Sequence, residues 1–406
     1  MGDLLKQATI TEEMMEDMRG RMGIPLRPRI IWNTSSCYDS VNHFCLGIGD
    51  DNPLYVDKAY GKTTALGKGL APPSFPYSLC MSVVQMGFPG IHGFHSGGDW
   101  KWFRPIVQGE DLNVLIWLDS MEEMPSRMGG RSIILYFSNV FTNGDDEVVC
   151  YARGRTVRME RGAARERGVL KFESYPWTEE EFEEIDKKYN AEKARGAEKR
   201  YWEDVEVGDT IGEMIKGPLC MSDMISFYAG NMVAPTPAHR LALKDRARHP
   251  LWYFRNKENG GLEPIIRVHE NIEAANNAGV PAPYDVGVQR HSWMIHALTD
   301  WMGDDAFLEK NDCQFRAFNY YGDLQTFTGA ITKKYVEDGH HKVDIQIQGT
   351  NQNGVVTIPG SATIVLPTKD GAIPVLAFND VRIKRDDFLA TLSSRPDFSR
   401  ATPRKG

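Results

Sequence analysis

The residues of this chain best suited to chemistry sit in one short run, His43–Tyr55 (HFCLGIGDDNPLY). It begins as the end of an apolar-faced helix carrying Val41, Phe44, Cys45 and Ile48. It breaks at Gly47 and Gly49, then presents Asp50, Asp51 and Asn52 ahead of Pro53. A carboxylate beside an amide, on a turn loosened by glycine and stiffened by proline, can hold a water and exchange a proton with it. The same residues also stop a helix for steric reasons alone, so the turn needs context before it is read as a site. Tyr55, whose ordinary pKa is about 10, is a hydrogen-bond donor near neutrality rather than a base. The imidazoles available to Asp50 are scattered. His269 lies far along the chain, and His92 and His95 (GIHGFH) precede a β-rich run. The His92–His95 spacing has no glutamate between the pair and no third ligand, so no metal is expected there. His291 and His296 fall on an apolar helical pattern and read as core or interface histidines.

Composition sets the frame for those residues. With 406 residues the chain exceeds the size at which one core usually keeps growing, so two domains are expected. Apolar residues make up 41% and aromatic residues 10%, enough for sizeable cores. A net charge of −8 and a pI near 5.8 argue against a nucleic-acid or anionic-membrane surface. The six cysteines show no CxxC and no dense framework, which suits a reducing cytoplasm. Met1–Gly20 is polar and charged, unlike a signal peptide, and no apolar run approaches the ~20 residues of a membrane span.

The elements that must position Asp50 recur. Arg27–Trp32 is a strand candidate. A Gly-Pro-rich connection, Gly67–Phe75, leads to Tyr77–Met86, whose length and lack of alternation predict a buried helix. Strands follow over Leu112–Leu118, Arg131–Phe141 and Val148–Arg158, with a hairpin turn expected at Asn143-Gly144. Thr178 and Glu181 form a capping box for a helix carrying Phe182, Ile185 and Tyr189, a brace between domains. The pattern then returns. Asp204–Lys216 is strand-like, Ser222–Ala229 is a capped helix, and Gly279–Tyr284 (GVPAPY) answers Gly69–Phe75 (GLAPPSF). Trp293–Trp301 answers the first buried helix, and Asn353-Gly354 answers the first hairpin turn. Gly69 to Gly109 spans 40 residues and Gly279 to Gly322 spans 43, so the intervals agree. Two degenerate copies of one α+β unit account for this. The expected boundaries are 1–160, a helical linker over 161–200, a second unit over 201–370 with an insertion over 232–267, and an extension over 371–406.

A central helix wrapped by an antiparallel sheet, duplicated, with GIGDDNPLY, APPSF (Ala71–Phe75) and WFRPIVQGEDL (Trp102–Leu112), resembles the double hot-dog MaoC-like dehydratases. These are relatives of the type-2 (R)-specific enoyl-CoA hydratases. The first half also resembles the dehydratase module of fungal fatty acid synthases, and TDWMGDD (Thr299–Asp305) looks like an element of the second half in this group. The resemblance implies a tandem hot-dog fold and a hydro-lyase of fatty acid metabolism acting on a 2-enoyl or 3-hydroxyacyl thioester. CoA or acyl carrier protein would be the carrier, with no metal or redox cofactor, and the protein would be a cytoplasmic homo-oligomer. In the family's hydration motif, Gly49, Asp50, Asn52, Pro53 and Leu54 match, Tyr55 replaces the histidine, and Asp57 follows in place. In the second half Asn231 stands at the acidic position, while His269 keeps the family's offsets to Asn271, Ala275 and Gly279. Each half alone is chemically deficient.

Three outcomes follow from that deficiency. Asp50, with Asn52, works in the first half with Tyr55 or an incoming histidine such as His95. Alternatively, His269 works with another carboxylate. Otherwise the chain is a catalytically silent thioester-binding or assembly subunit; a hot-dog thioesterase is a further alternative. Gly69, Ala71, Pro72, Arg104 and Asn231 are the expected substrate contacts, with pantetheine running between the halves.

Overall fold

The computed structural model describes residues 9–27, 32–125, 130–160, 172–231 and 237–400. Most of the expected strand Arg27–Trp32 lies outside them. Ten strands carry the architecture: β1 (Pro25–Leu26), β2 (Gly93–Trp102), β3 (Leu112–Pro125), β4 (Arg131–Asn143), β5 (Val148–Met159), β6 (Thr210–Lys216), β7 (Phe307–Gln314), β8 (Gln325–Glu337), β9 (His340–Asn351) and β10 (Val356–Val365). They form one antiparallel sheet in the order β1-β3-β4-β5-β2-β7-β10-β9-β8-β6. Read outward from the β2–β7 seam, the two halves have the same strand order, the duplication expected of a double hot-dog. At the seam Trp100 pairs with Asn311 and Asp99 with Asp312.

The helices that matter for the site are α1 (Glu12–Arg21), α2 (Tyr38–Ile48), α3 (Pro53–Val56), α4 (Glu179–Ala191), α5 (Met221–Asn231), α6 (Gly287–Met302) and α7 (Arg385–Thr391). Helix α6 is the wrapped helix of the second half. It packs on β6, β7, β9, β10 and, across the seam, β2. Fourteen of its sixteen residues are buried, so both its apolar and its polar side chains face protein. Helix α4 starts as expected, with Thr178 and Glu181 each satisfying the other's backbone N–H.

The first half differs at the corresponding place. Tyr77–Met86 is not a helix: a short 3-10 turn over Phe75–Ser78 gives way to irregular chain. Ser82 adopts φ 60, and its carbonyl accepts from Asn139 Nδ2 at 2.9 Å. The segment therefore lies flat against β4 and β5, and local propensity yields to that contact. Tyr77 ties it to the second half. Its hydroxyl accepts from Trp100 Nε1 at 3.0 Å and meets His291 Nδ1 at 2.6 Å, and His291 Nε2 faces Asn311 Oδ1. The hydroxyl therefore donates to Nδ1 and fixes the tautomer.

The first hairpin turn runs over five residues, with Asp146 rather than Gly144 at positive φ, whereas Gly354 takes φ 76 in the second. The C-terminal extension returns to the first half, where Phe388 and Leu389 of α7 pack on Trp117, Val140 and Val148.

Helices α2 and α5 cross with their backbones touching. A Cβ on Gly47 would lie 2.8 Å from Ser226 O, and one on Gly230 would lie 2.1 Å from His43 O. The contact is reciprocal, so Gly230 corresponds to Gly47 and Asn231 to Ile48. The counterpart of Asp50 is then Val233, outside the described residues, and Asn231 is not a mutated acid. Gly230→Ala should force the helices apart and cost about 1–3 kcal/mol in urea unfolding. Gly20→Ala, with nothing within 4 Å of its added Cβ, should cost nothing. Equal effects would contradict the crossing.

Candidate active site

Gly49 ends α2 in the left-handed conformation (φ 66, ψ 46), and its N–H returns to Cys45 O. That cap turns the chain so that Asp50 points inward. Asn52 then caps α3, its Oδ1 accepting from Leu54 N at 3.0 Å, while Asp50 Oδ1 accepts from Asn52 N at 3.0 Å. Two successive Asx interactions thus lock the carboxylate. The turn is both a helix stop and a device for holding Asp50.

What it holds Asp50 against comes from the other half. His296 Nε2 lies 3.4 Å from Asp50 Oδ1 and 3.3 Å from Asp300 Oδ2. His296 and Asp300 are one turn apart on the same face of α6. The distances are those of contact, but the angles are not those of hydrogen bonds. Asp50 Oδ2, Asp300 Oδ1 and both His296 ring nitrogens have no hydrogen-bond partner among the described residues. Exposure is graded along the row: the side chain of Asp50 is 0% exposed, His296 2% and Asp300 12%. Lys216, from the end of β6, donates to Gly49 O at 2.9 Å and brings a buried ammonium beside the cluster. Tyr55 is buried next to it, with its hydroxyl on Thr299.

The electrostatics follow from that burial. Desolvation pushes the His296 imidazole down to about 4, against the pull of Asp50, so it is neutral at physiological pH. Burial raises Asp300 to about 7, with Lys216 opposing. Burial also raises Asp50, opposed first by His296. Lys216 is lowered by burial, with Glu192 and Asp50 opposing. Tyr55 is held well above its usual value, first by burial and then by Asp50, so it stays a neutral donor.

The ligand atoms of Asp50, His296 and Asp300 lie within 4.8 Å of one another, close enough to hold a divalent cation. Lys216 already supplies positive charge there, so the cluster suits proton exchange better than a metal.

Asp300 opens the row to a cleft of about 340 Å³, lined also by Ala297, Trp301, Met214, Phe327 and the strap Ala191–Arg195 that follows α4. A larger groove of about 600 Å³ lies between Phe172–Pro176 and Ala317–Asp323 and contains none of the cluster.

The other expected residues stand apart from this row. His269 is buried, with Nδ1 2.9 Å from Tyr284 O, and burial lowers it to about 4. His95 meets Gly97 O through Nε2 and packs on Phe315, and burial lowers it to about 3. Neither meets Asp50. Arg104 is clamped between Glu110 at 2.6 Å and Glu147 at 3.1 Å, so it anchors a turn and is not free for a phosphate. Gly69 admits the side chain of Gln108, and Leu70–Ala71 pairs with Ile106–Val107 ahead of Pro72, so close approach here is protein on protein. Asn231 is buried, and neither of its amide atoms has a hydrogen-bond partner among the described residues.

Residues 38–152, which contain the Asp50 turn, match the FAS1-like dehydratase domain region. A MaoC-like dehydratase superposes with a TM-score of 0.59 at 16% identity, covering 87% of this chain and all of that one. A putative MaoC domain protein dehydratase from Chloroflexus aurantiacus J-10-fl gives 0.50 at 13% identity over 86% of this chain and 96% of its own. The fold is that of the MaoC-like dehydratases. A UPF0336 protein of Parafrankia sp. is 29% identical over 133 residues, 31% of this chain and 83% of its own length.

Within the MaoC-like framework, sequence reasoning found the carboxylate turn and missed its partners. The signal was present in HALTD (His296–Asp300), where an imidazole and a carboxylate stand at i and i+4 within the largely apolar run Trp293–Trp301. The raised Asp300 carboxyl has a stability consequence. Its folded pKa of about 7 lies above the ordinary carboxylate value, so its protonated form stabilises the fold at low pH, and that contribution is lost as pH rises through 7. Asp300→Asn should therefore be more stable than the native protein at pH 8, with the gap closing by about pH 4. A gap that does not change with pH in urea titrations would contradict the assignment.

Proposed function

We propose that the protein is a hydro-lyase interconverting a 2-enoyl thioester and a 3-hydroxyacyl thioester by carboxylate acid–base chemistry. The observation that carries this reading is the row Asp50–His296–Asp300, assembled from both halves and opening to solvent only at Asp300. The match to a dehydratase region supports it independently.

Asp300 meets the substrate. In dehydration its carboxylate takes the proton from Cα while the Cα–H electron pair forms the double bond and the Cβ–O bond breaks. The carboxyl then returns that proton to the departing hydroxyl, giving water, and hydration is the reverse. A group titrating near neutrality suits both directions. Neutral His296, against Asp300 and Asp50, orients the carboxyl and holds the proton balance between the two acids, and Asp50 is a positioning residue. The chemistry needs no metal or redox cofactor. The acyl group is carried by CoA or an acyl carrier protein. A silent thioester-binding subunit is the second reading, favoured by the complete burial of Asp50.

Crotonyl-CoA turnover, followed by loss of enoyl absorbance, tests this. Asp300→Asn should lower kcat by ~10²–10⁴, as loss of an acid–base group does. The low-pH limb of the profile, set near 7 by Asp300, should disappear with it. Native-like turnover in that variant would sink the assignment. Thioester binding without turnover would favour the silent subunit, and release of free CoA would favour a thioesterase.

A further inference from the structure

The strap that follows α4 clasps the last turn of α6 at two points. Arg195 N donates to Asp300 O at 3.0 Å, and Arg200 Nε donates to Trp301 O at 2.7 Å. The Arg200 guanidinium also lies 4.4 Å over the Trp301 ring. It is therefore fixed on two sides, its terminal N–H groups have no hydrogen-bond partner among the described residues, and the residue lines the cleft that Asp300 enters. No carboxylate lies within ion-pair distance of it among the described residues.

The acids lining the same cleft are engaged elsewhere. Glu198 is held by Arg195 at 2.8 Å, and Glu213 by Lys188 at 2.6 Å. Glu192 accepts from Ile215 N at 3.0 Å and faces Lys216. Burial, with Arg195 nearby, lowers Arg200 to about 10. It is a guanidinium that gains from an anion. Lys193 adds a second cation at the exposed rim.

We propose that Arg200 is a specificity residue that binds an anionic group of the acyl chain, so that the preferred substrate is the monothioester of a short dicarboxylic acid. This rests on the hydro-lyase reading of the same cleft. Reach selects the acyl carboxylate over the carrier's phosphate. Arg200 is anchored on the residue next to Asp300, which keeps its fork within about 10 Å of the reacting carbons by backbone dimensions. The phosphate of an extended phosphopantetheine arm lies beyond that. A cleft of about 340 Å³ likewise suits a short acyl group. A planar guanidinium held by stacking matches a carboxylate through two parallel hydrogen bonds, which a lysine at the same place would not.

Saturated thioesters separate this inference from the chemistry, because their binding needs no turnover. Calorimetry with glutaryl-CoA, butyryl-CoA and free CoA should show glutaryl-CoA binding the native protein at least about tenfold more tightly than butyryl-CoA. Arg200→Gln should abolish that preference, and Arg200→Lys should keep only part of it. Equal affinity of the two thioesters for the native protein overturns the proposal. So does an Arg200→Gln variant that weakens all three ligands alike, since the guanidinium would then be meeting the carrier phosphate, and so does one that leaves the preference intact. A persistent glutaryl-CoA preference with no turnover of crotonyl-CoA or glutaconyl-CoA would instead retire the hydro-lyase reading while leaving the anion site standing.

Discussion

Two helices from different halves touch backbone to backbone at Gly47 and Gly230, and the placement of the cluster depends on that contact. It leaves no room for side chains, so α2 can sit at only one height against α5. Since α2 ends two residues later at Gly49, the height of the crossing is also the position of Asp50. The continuous sheet sets the other coordinate. The β2–β7 seam fixes the second half against the first, and α6, packed across that seam, brings His296 and Asp300 to the end of α2. The Tyr77–His291–Asn311 chain pins α6 from its opposite end.

The cluster so assembled is expensive. Two carboxylates, an imidazole and an ammonium leave water together, and several of their polar atoms find no partner among the described residues. A structural ion pair would satisfy its polar atoms, as Arg290 and Asp285 do: Nε and Nη2 of Arg290 donate to the two carboxylate oxygens, Nη1 donates to Ala317 O, and Asn319 also donates to Asp285. That pair shows a closed salt bridge in the same half of the chain. The open valences at Asp50, His296 and Asp300 suit the acid–base use proposed above, in which burial sets proton affinities against one another. The grading of exposure from Asp50 to Asp300 gives that use a direction.

Much of this was legible in the sequence. The duplication, the capping box at Thr178, the hairpins and the carboxylate turn are local patterns, and local patterns survive folding. What was not legible was long-range. Tyr77–Met86 reads as helix by composition, yet its backbone is claimed by Asn139 and by the surface at Gly154. His296 reads as core because it is buried like most of α6, and the carboxylate set against it from the other half, Asp50, comes from 246 positions earlier. Tyr55 reads as a lesion in the hydration motif. In the fold it lies against Thr299, on the turn of α6 that supplies the imidazole the motif lacks. His269 kept the family spacing, with its Nδ1 on the carbonyl of Tyr284, but it does not meet Asp50.

A site shared between the halves requires that Asp50 from the first half and His296 from the second act as a unit. A double-mutant cycle on kcat/KM with Asp50→Asn, His296→Asn and the double variant measures this directly. A shared site gives strong non-additivity, with the double variant losing little more than the worse single variant. Losses that simply multiply would mean that the two residues act independently, and would contradict a site shared between the halves.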